Sequence, residues 1–128
     1  LMIVIDTDVA VDIFRGHPSA VAWSRTVRDP EIVMPGFAAM EVLQGCRNAV
    51  EQRKAQQLLS GFVIAWPNLE ALEAAYRIHA SIHLANAIGI LDVLIGITAA
   101  SLNSPLQTFN QKHFDAITGL TTVRPYTR

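Results

Sequence analysis

The stretch Met2-Ile3-Val4-Ile5-Asp6-Thr7-Asp8-Val9 decides how the rest of the chain is read. Residues Met2–Ile5 are a short, continuous apolar run in which Ile3, Val4 and Ile5 are β-branched, and the run stops at the polar Asp6-Thr7-Asp8. A continuous run of this kind marks a strand covered on both faces, as in a parallel sheet. A short helix is predicted next, from about Val9 to Arg15. A second covers Ser19–Arg28, with Ala20, Trp23 and Val27 at helical spacing before the stop signal Asp29-Pro30. Glu31–Met34 is the next expected strand, closed by Pro35-Gly36 and followed by helices over Phe37–Arg47 and Val50–Leu59. Phe62–Ala65 reads as a third strand, Asn68 as the cap of a helix through Ile78, and Leu91–Leu102 as a helix so apolar that it is buried. Leu106–Thr108 and Thr121–Val123 complete the strands. Strands alternating with helices of about 10–15 residues build βαβ units, and hence an α/β fold whose central parallel sheet is covered by helices on both faces. Ligands of such sheets lie beyond the carboxyl ends of the strands, where the strand order switches direction.

A length of 128 residues suits one domain, for which about 100–150 residues is usual. Hydrophobic residues make up 51% and charged residues 16%, against about 25% charged in ordinary globular chains. Material for a core is plentiful, and part of the apolar surplus is expected to cover a subunit interface. The net charge of −1 and pI near 6.5 give no support for a broadly cationic nucleic-acid surface, so any RNA must be held by a local patch. Cys46 is the single cysteine; an internal disulfide framework is excluded and a reducing, cytoplasmic setting is expected, with Cys46 a small buried hydrophobe. The run Leu1–Ile5 is too short for a signal-peptide core of about 7–15 residues or a membrane span of about 20. No membrane partner is expected.

Three acids stand out from this background. Asp6 follows the first strand directly, where it can cap a helix or carry chemistry, and Asp8 can cap the same helix. Glu41 lies in Phe37-Ala38-Ala39-Met40-Glu41-Val42-Leu43, with no other charge between Glu31 and Arg47. Asp92 interrupts the apolar run Ile88–Ala99, and is either a helix cap or a ligand facing the same cleft as Asp6. A charge in such surroundings is costly unless paired, neutralised or bound to a metal. Carboxylates gathered at one sheet edge raise one another's pKa. Hard divalent cations relieve that conflict. Without the His and Cys that zinc favours, Mg²⁺ or Mn²⁺ is the expected ion. The chemistry suited to it is phosphodiester hydrolysis.

At these residues the chain resembles the PIN-domain family and, within it, the small VapC-type toxins. Ile3-Val4-Ile5-Asp6-Thr7-Asp8-Val9 is similar to the family's opening strand, and Met40-Glu41-Val42-Leu43-Gln44-Gly45 to the segment bearing the second acid. Asp92-Val93-Leu94-Ile95-Gly96-Ile97-Thr98-Ala99 resembles the third-acid helix. Thr108-Phe109-Asn110-Gln111-Lys112-His113-Phe114, with Gly119-Leu120 and Pro125-Tyr126 after it, resembles the C-terminal signature. Each motif alone is unspecific, but four in order cover essentially the whole chain. The resemblance implies a three-layer PIN-like fold, with Asp6, Glu41 and Asp92 as the catalytic, metal-binding acids. It implies hydrolysis of single-stranded or loop RNA leaving a 5′-phosphate, a homodimer, and a cognate antitoxin that inserts a peptide into the acidic cleft. His113 stands where members often carry a further acid. Asn110 is accordingly expected to face the metals through its side-chain oxygen or a water, and Asp115 to lie outside, as a helix-start or surface residue.

Among the cations, Arg15, close after Asp6 and Asp8, and Lys112, in the last motif, are the best candidates for phosphate contact. Trp23 and Trp66 read as core or interface anchors in preference to base-stacking platforms. His79 and His83 have i, i+4 spacing, but no third ligand is near in sequence. Two other functions compete. Asp6-Thr7-Asp8-Val9 also resembles the Asp-x-Asp motif of haloacid-dehalogenase-type phosphatases, although Lys54 and Lys112 are poorly placed for that chemistry. The chain could also be a catalytically inactive PIN-like binding module, which retention of three acids disfavours.

Overall fold

The structure, a computed structural model, describes residues 2–27 and 31–128. Its first strand, β1 (Met2–Ile5), is followed by α1 (Thr7–Phe14), α2 (Pro18–Thr26), β2 (Glu31–Pro35), α3 (Gly36–Gln44), α4 (Ala49–Leu59) and β3 (Val63–Ala65). Then come α5 (Leu69–Ile82), α6 (Ile90–Ser101), β4 (Leu106–Gln107), α7 (Gln111–Phe114) and β5 (Thr122–Val123). The five strands form one sheet in the order β3-β2-β1-β4-β5, and every neighbouring pair is parallel. Helices flank this sheet in a three-layer α/β arrangement, as the alternation of elements predicts.

β1 is central because its side chains suit no other place. Val4 and Ile5 have no exposed surface, and Val4 pairs with Val33 on one side and Leu106 on the other. Beyond the last β1 residue, the Asp6 amide still donates to Gln107 O at 3.0 Å, so the ladder carries the chain to the sheet's carboxyl edge before α1 turns away. Val9, Met34, Ile95, Leu106 and Phe114 fill the core around it. Among the described residues no helix is long and apolar enough to cross a membrane.

Several boundaries differ from expectation for local reasons. The first helix starts at Thr7, ahead of Val9, because Asp6 itself is the N-cap. The third stops at Gln44, short of Arg47: Gly45 closes it, and Asn48 then caps α4 by accepting from Glu51 N–H. The helix expected to end at Ile78 runs on to Ile82, since Ile78 and Ile82 both pack on the core. The second ends at Thr26; Arg28 and the Asp29-Pro30 stop lie outside the described residues. Cys46 is half-buried, with its thiol 3.5 Å from Val42 O, in place of the full burial expected. Gly96 has a steric reason to be glycine. A Cβ there would meet Ile117 Cδ1 at 2.6 Å, so the absence of a side chain lets the segment around α7 close onto α6.

Candidate metal centre at the sheet switch point

Strand order reverses between β1 and β4, and the residues that leave these two strands face each other across that point. Asp6 Oδ1 accepts the Thr7 N–H at 2.7 Å and Oδ2 accepts the Thr108 hydroxyl at 2.8 Å. The aspartate is 3% exposed. Burial above all, then the charge of Asp8, pushes its carboxyl up to about 7; the bonds from Thr108 and Thr7 oppose the shift, and Asp92 adds a smaller push. An ionised Asp6 therefore sits in a deficit of positive charge.

The other acids gather around it. Asp8 lies in the first turn of α1, where Oδ1 accepts from Val9 N–H and Oδ2 from Phe109 N–H at 2.9 Å. Burial raises its carboxyl, against the lowering effect of those two amides. Asp8 thus ties α1 to the end of β4, which leaves little of it for the phosphoryl chemistry that a phosphatase would require. Glu41, midway along α3, reaches the cluster through Thr7, whose hydroxyl donates to Glu41 Oε1 at 2.7 Å. Asp92 is in the first turn of α6, with Gly89 as the N-cap, so it does not cap that helix. Its carboxylate lies 3.5 Å from His113 Nδ1.

Of the residues of the last motif, Thr108, Phe109, Asn110 and His113 are tied to this cluster. Asn110 is exposed; its N–H donates to Thr108 Oγ1 at 3.0 Å, and its side chain does not cap α7. Asp115 is also exposed, as the surface half of its expectation has it, and sits at the C-cap of α7 and not at the helix start. Lys112 is exposed on α7 next to His113. Arg15 is at the C-cap of α1, roughly 13 Å along the helix from Asp6 at about 1.5 Å per residue. It lines a narrow cleft with Phe14, Glu41 and Glu51. Trp23 packs against Tyr126, and Trp66, 58% exposed, meets Phe37 edge-on. His79 and His83 stack on each other with ring centroids 5.1 Å apart.

Among the described residues no three His, Cys, Asp or Glu side chains converge closely enough to hold an ion by themselves. Mg²⁺ does not demand that, because it keeps several waters and takes one or two carboxylates together with substrate phosphates. An all-oxygen donor set around a buried acid that lacks a counter-charge fits such an ion.

Sequence reading gave no role to the residues that brace the cluster. Thr7 and Thr108 stood inside quoted motifs, and their position after strand ends was the available signal. Asp12 carried none: it accepts from Tyr126 OH at 2.7 Å and from Arg128 Nε at 2.9 Å, contacts spanning more than a hundred residues. Burial alone would raise Asp12, but the bonds from Arg128 and Tyr126 outweigh it and hold the carboxyl below its usual value.

Residues 3–120 match the PIN domain family. By sequence, no curated protein matches the chain. Solved structures similar in fold include three from toxin-antitoxin systems. A chain of VapBC2 from Rickettsia felis, bound to a DNA fragment from their promoter, has a TM-score of 0.80 at 21% identity, covering 96% of this chain and 98% of that one. A toxin-antitoxin complex from Klebsiella pneumoniae gives 0.76 at 24% identity, covering 98% and 99%. VapBC-1 from nontypeable Haemophilus influenzae gives 0.78 at 23% identity, covering 96% and 97%. With the family match spanning residues 3–120, and so nearly all of the parallel sheet and its helices, the chain belongs to the PIN domain family.

Proposed function

We propose that this chain is a metal-dependent endoribonuclease, the toxin of a VapBC-type toxin-antitoxin pair, which hydrolyses RNA phosphodiester bonds with Mg²⁺ or Mn²⁺. One observation carries the reading: Asp6, buried at the switch point, is pushed up to about 7 by burial and by neighbouring acids. Carboxylates perturbed in this way, buried at a sheet edge beside other acids, cluster at functional sites, and a divalent cation would relieve their repulsion. Asp6, Glu41 and Asp92 would hold the metal, which when bound supplies charge neutralisation and an activated water for in-line displacement. Thr108 and Thr7 fix the carboxylates of Asp6 and Glu41 by hydrogen bonds, so the donors are preorganised. Asp8 braces Asp6 by holding the Phe109 amide. Asn110 stands ready as a neutral oxygen donor beside Thr108, Asp115 has no part, and Lys112 and Arg15 offer positive charge to RNA phosphates on either side.

The partners follow the same reading. The matched chains come from toxin-antitoxin complexes, which supports a small antitoxin that covers the acidic edge. Leu69, Leu72 and Tyr76 of α5 and Ile90 of α6 leave an apolar face exposed, which supports a homodimer that buries it. Such a pair would act in the cytoplasm. Incubating pure protein with structured RNA and Mg²⁺ or Mn²⁺, with and without EDTA, tests the activity. Cleavage that EDTA abolishes and that Asp6→Asn or Asp92→Asn lowers by orders of magnitude is expected. Cleavage that resists EDTA and survives Asp6→Asn contradicts the reading.

A further inference from the structure

The sheet order lays the residues that follow each strand in a row along the carboxyl edge: Trp66 after β3, Asp6 after β1, Thr108 and Phe109 after β4, and Arg124 after β5. With strands about 4.8 Å apart, Arg124 stands two strands, roughly 10 Å, from Asp6. Its guanidinium lies over the Phe109 ring, 5.4 Å from the centroid, and makes no ion pair among the described residues. Arg128 lies over the same ring at 4.2 Å while Asp12 holds its Nε and Nη2. Tyr126 meets that ring edge-on at 4.9 Å. Phe109 is itself fixed to the acid cluster, because its N–H is donated to Asp8. Two guanidinium groups are therefore carried on one aromatic ring that is one hydrogen bond from the acids.

We propose that Arg124, set over the Phe109 ring beside Arg128, is a phosphate-binding subsite for the RNA strand on the β5 side of the cut. This rests on the ribonuclease reading and adds a substrate contact to it. A strand of phosphates drawn to a cluster of carboxylates needs fixed positive charge nearby, which a chain of net charge −1 must concentrate locally. A guanidinium set over a ring and in no ion pair keeps N–H groups free for a phosphate, and the cation–π contact removes part of the ordering cost. Arg128, committed to Asp12, adds charge and holds Phe109 in place; Arg124 makes the contact. The subsite reads backbone, so it weakens or strengthens all RNA sequences alike.

The test measures binding of a fluorescent single-stranded RNA oligomer to the full chain in EDTA, where metal-dependent cleavage is silent, across a series of salt concentrations. Arg124→Gln is expected to weaken binding about tenfold or more, the scale of one charge-assisted contact. It should also flatten the log K against log salt slope by about 0.7, the value for one phosphate on a single strand. Arg124→Lys should recover the slope but only part of the affinity, and thermal melts of both variants should match the parent. Unchanged affinity and slope in Arg124→Gln overturn the subsite. If Arg124→Gln instead leaves RNA untouched but loosens an acidic peptide, the patch is a protein-docking site and the proposal is wrong. A parallel cleavage assay with Mg²⁺ separates the two levels: active enzyme indifferent to Arg124→Gln removes the subsite and leaves the ribonuclease reading standing, whereas no cleavage by the parent removes both.

Discussion

The Thr108 hydroxyl donates to Asp6 Oδ2 at 2.8 Å, joining two residues 102 positions apart across the point where the strand order reverses. The same oxygen accepts the Asn110 N–H, so one hydroxyl links the central acid to the start of the last motif. Because this bond lowers the Asp6 pKa against the effect of burial, Thr108→Val should raise it further. The acid limb of the activity profile should then move to higher pH, and stability should fall by roughly 1–3 kcal/mol, the cost of an unmet buried polar group. Cleavage rates between pH 5 and 9, with melting curves alongside, check this; an unmoved limb would show that Asp6 does not control it.

Asp6 also makes metal-free stability depend on pH. Its folded pKa, about 7, lies above its ordinary 3.8, so the stabilising preference for the neutral acid is complete below pH 3.8 and is lost as pH rises through 7. The loss amounts to ~4 kcal/mol at most for a shift of this size. In EDTA, the parent should therefore become less resistant to urea between pH 4 and 8 by more than Asp6→Asn does. Saturating Mg²⁺ should restore the parent at pH 8 and do little for the variant. Parallel urea profiles for the two proteins would refute the burial argument.

Gly96→Ala tests the packing that brings α7 to the cluster. Its Cβ would meet Ile117 Cδ1 at 2.6 Å, Leu120 Cδ2 at 3.1 Å and Phe114 Cδ1 at 3.3 Å. Overpacking of this kind costs about 1–3 kcal/mol, offset by up to about 1 kcal/mol of helix propensity. A lower melting temperature together with a higher Mg²⁺ requirement is expected, since His113 beside Asp92 moves with the same segment. Unchanged melting would mean that the side chains give way freely.

Asn110 and Asp115 make a discriminating pair. Asn110 is joined through its N–H to Thr108, whereas Asp115 is exposed at the far end of α7. Asn110→Ala should raise the Mg²⁺ concentration needed for half-maximal cleavage, and Asp115→Ala should leave it unchanged. The reverse ranking would place the additional donor after Phe114.

Much of the fold was legible because its signals are local. The unbroken apolar run at Ile3–Ile5 gave the central strand, and the charge-poor surroundings of Glu41 and Asp92 marked both acids as unusual. Errors arose where one residue serves two purposes. Asp6 is both the helix cap and the candidate ligand, so the helix begins two residues earlier than its apolar spacing suggests. The braces were not legible at all. Nothing near Asp12 in sequence announces Tyr126 or Arg128, and no local pattern reveals that Phe109 carries both Arg124 and Arg128. Those contacts exist only once β4 and β5 have joined the sheet.

The chemical ends left on a cleaved RNA test most directly whether the acids around Asp6 cut by metal-assisted hydrolysis. A 5′-labelled and a 3′-labelled oligomer are digested by the purified chain in Mg²⁺ or Mn²⁺, and the fragments are analysed by mass. Fragments with 5′-phosphate and 3′-hydroxyl ends, formed by the parent but not by Asp6→Asn or Asp92→Asn, are the expected result. Fragments ending in 2′,3′-cyclic phosphate, formed equally by the parent and Asp6→Asn, would contradict it.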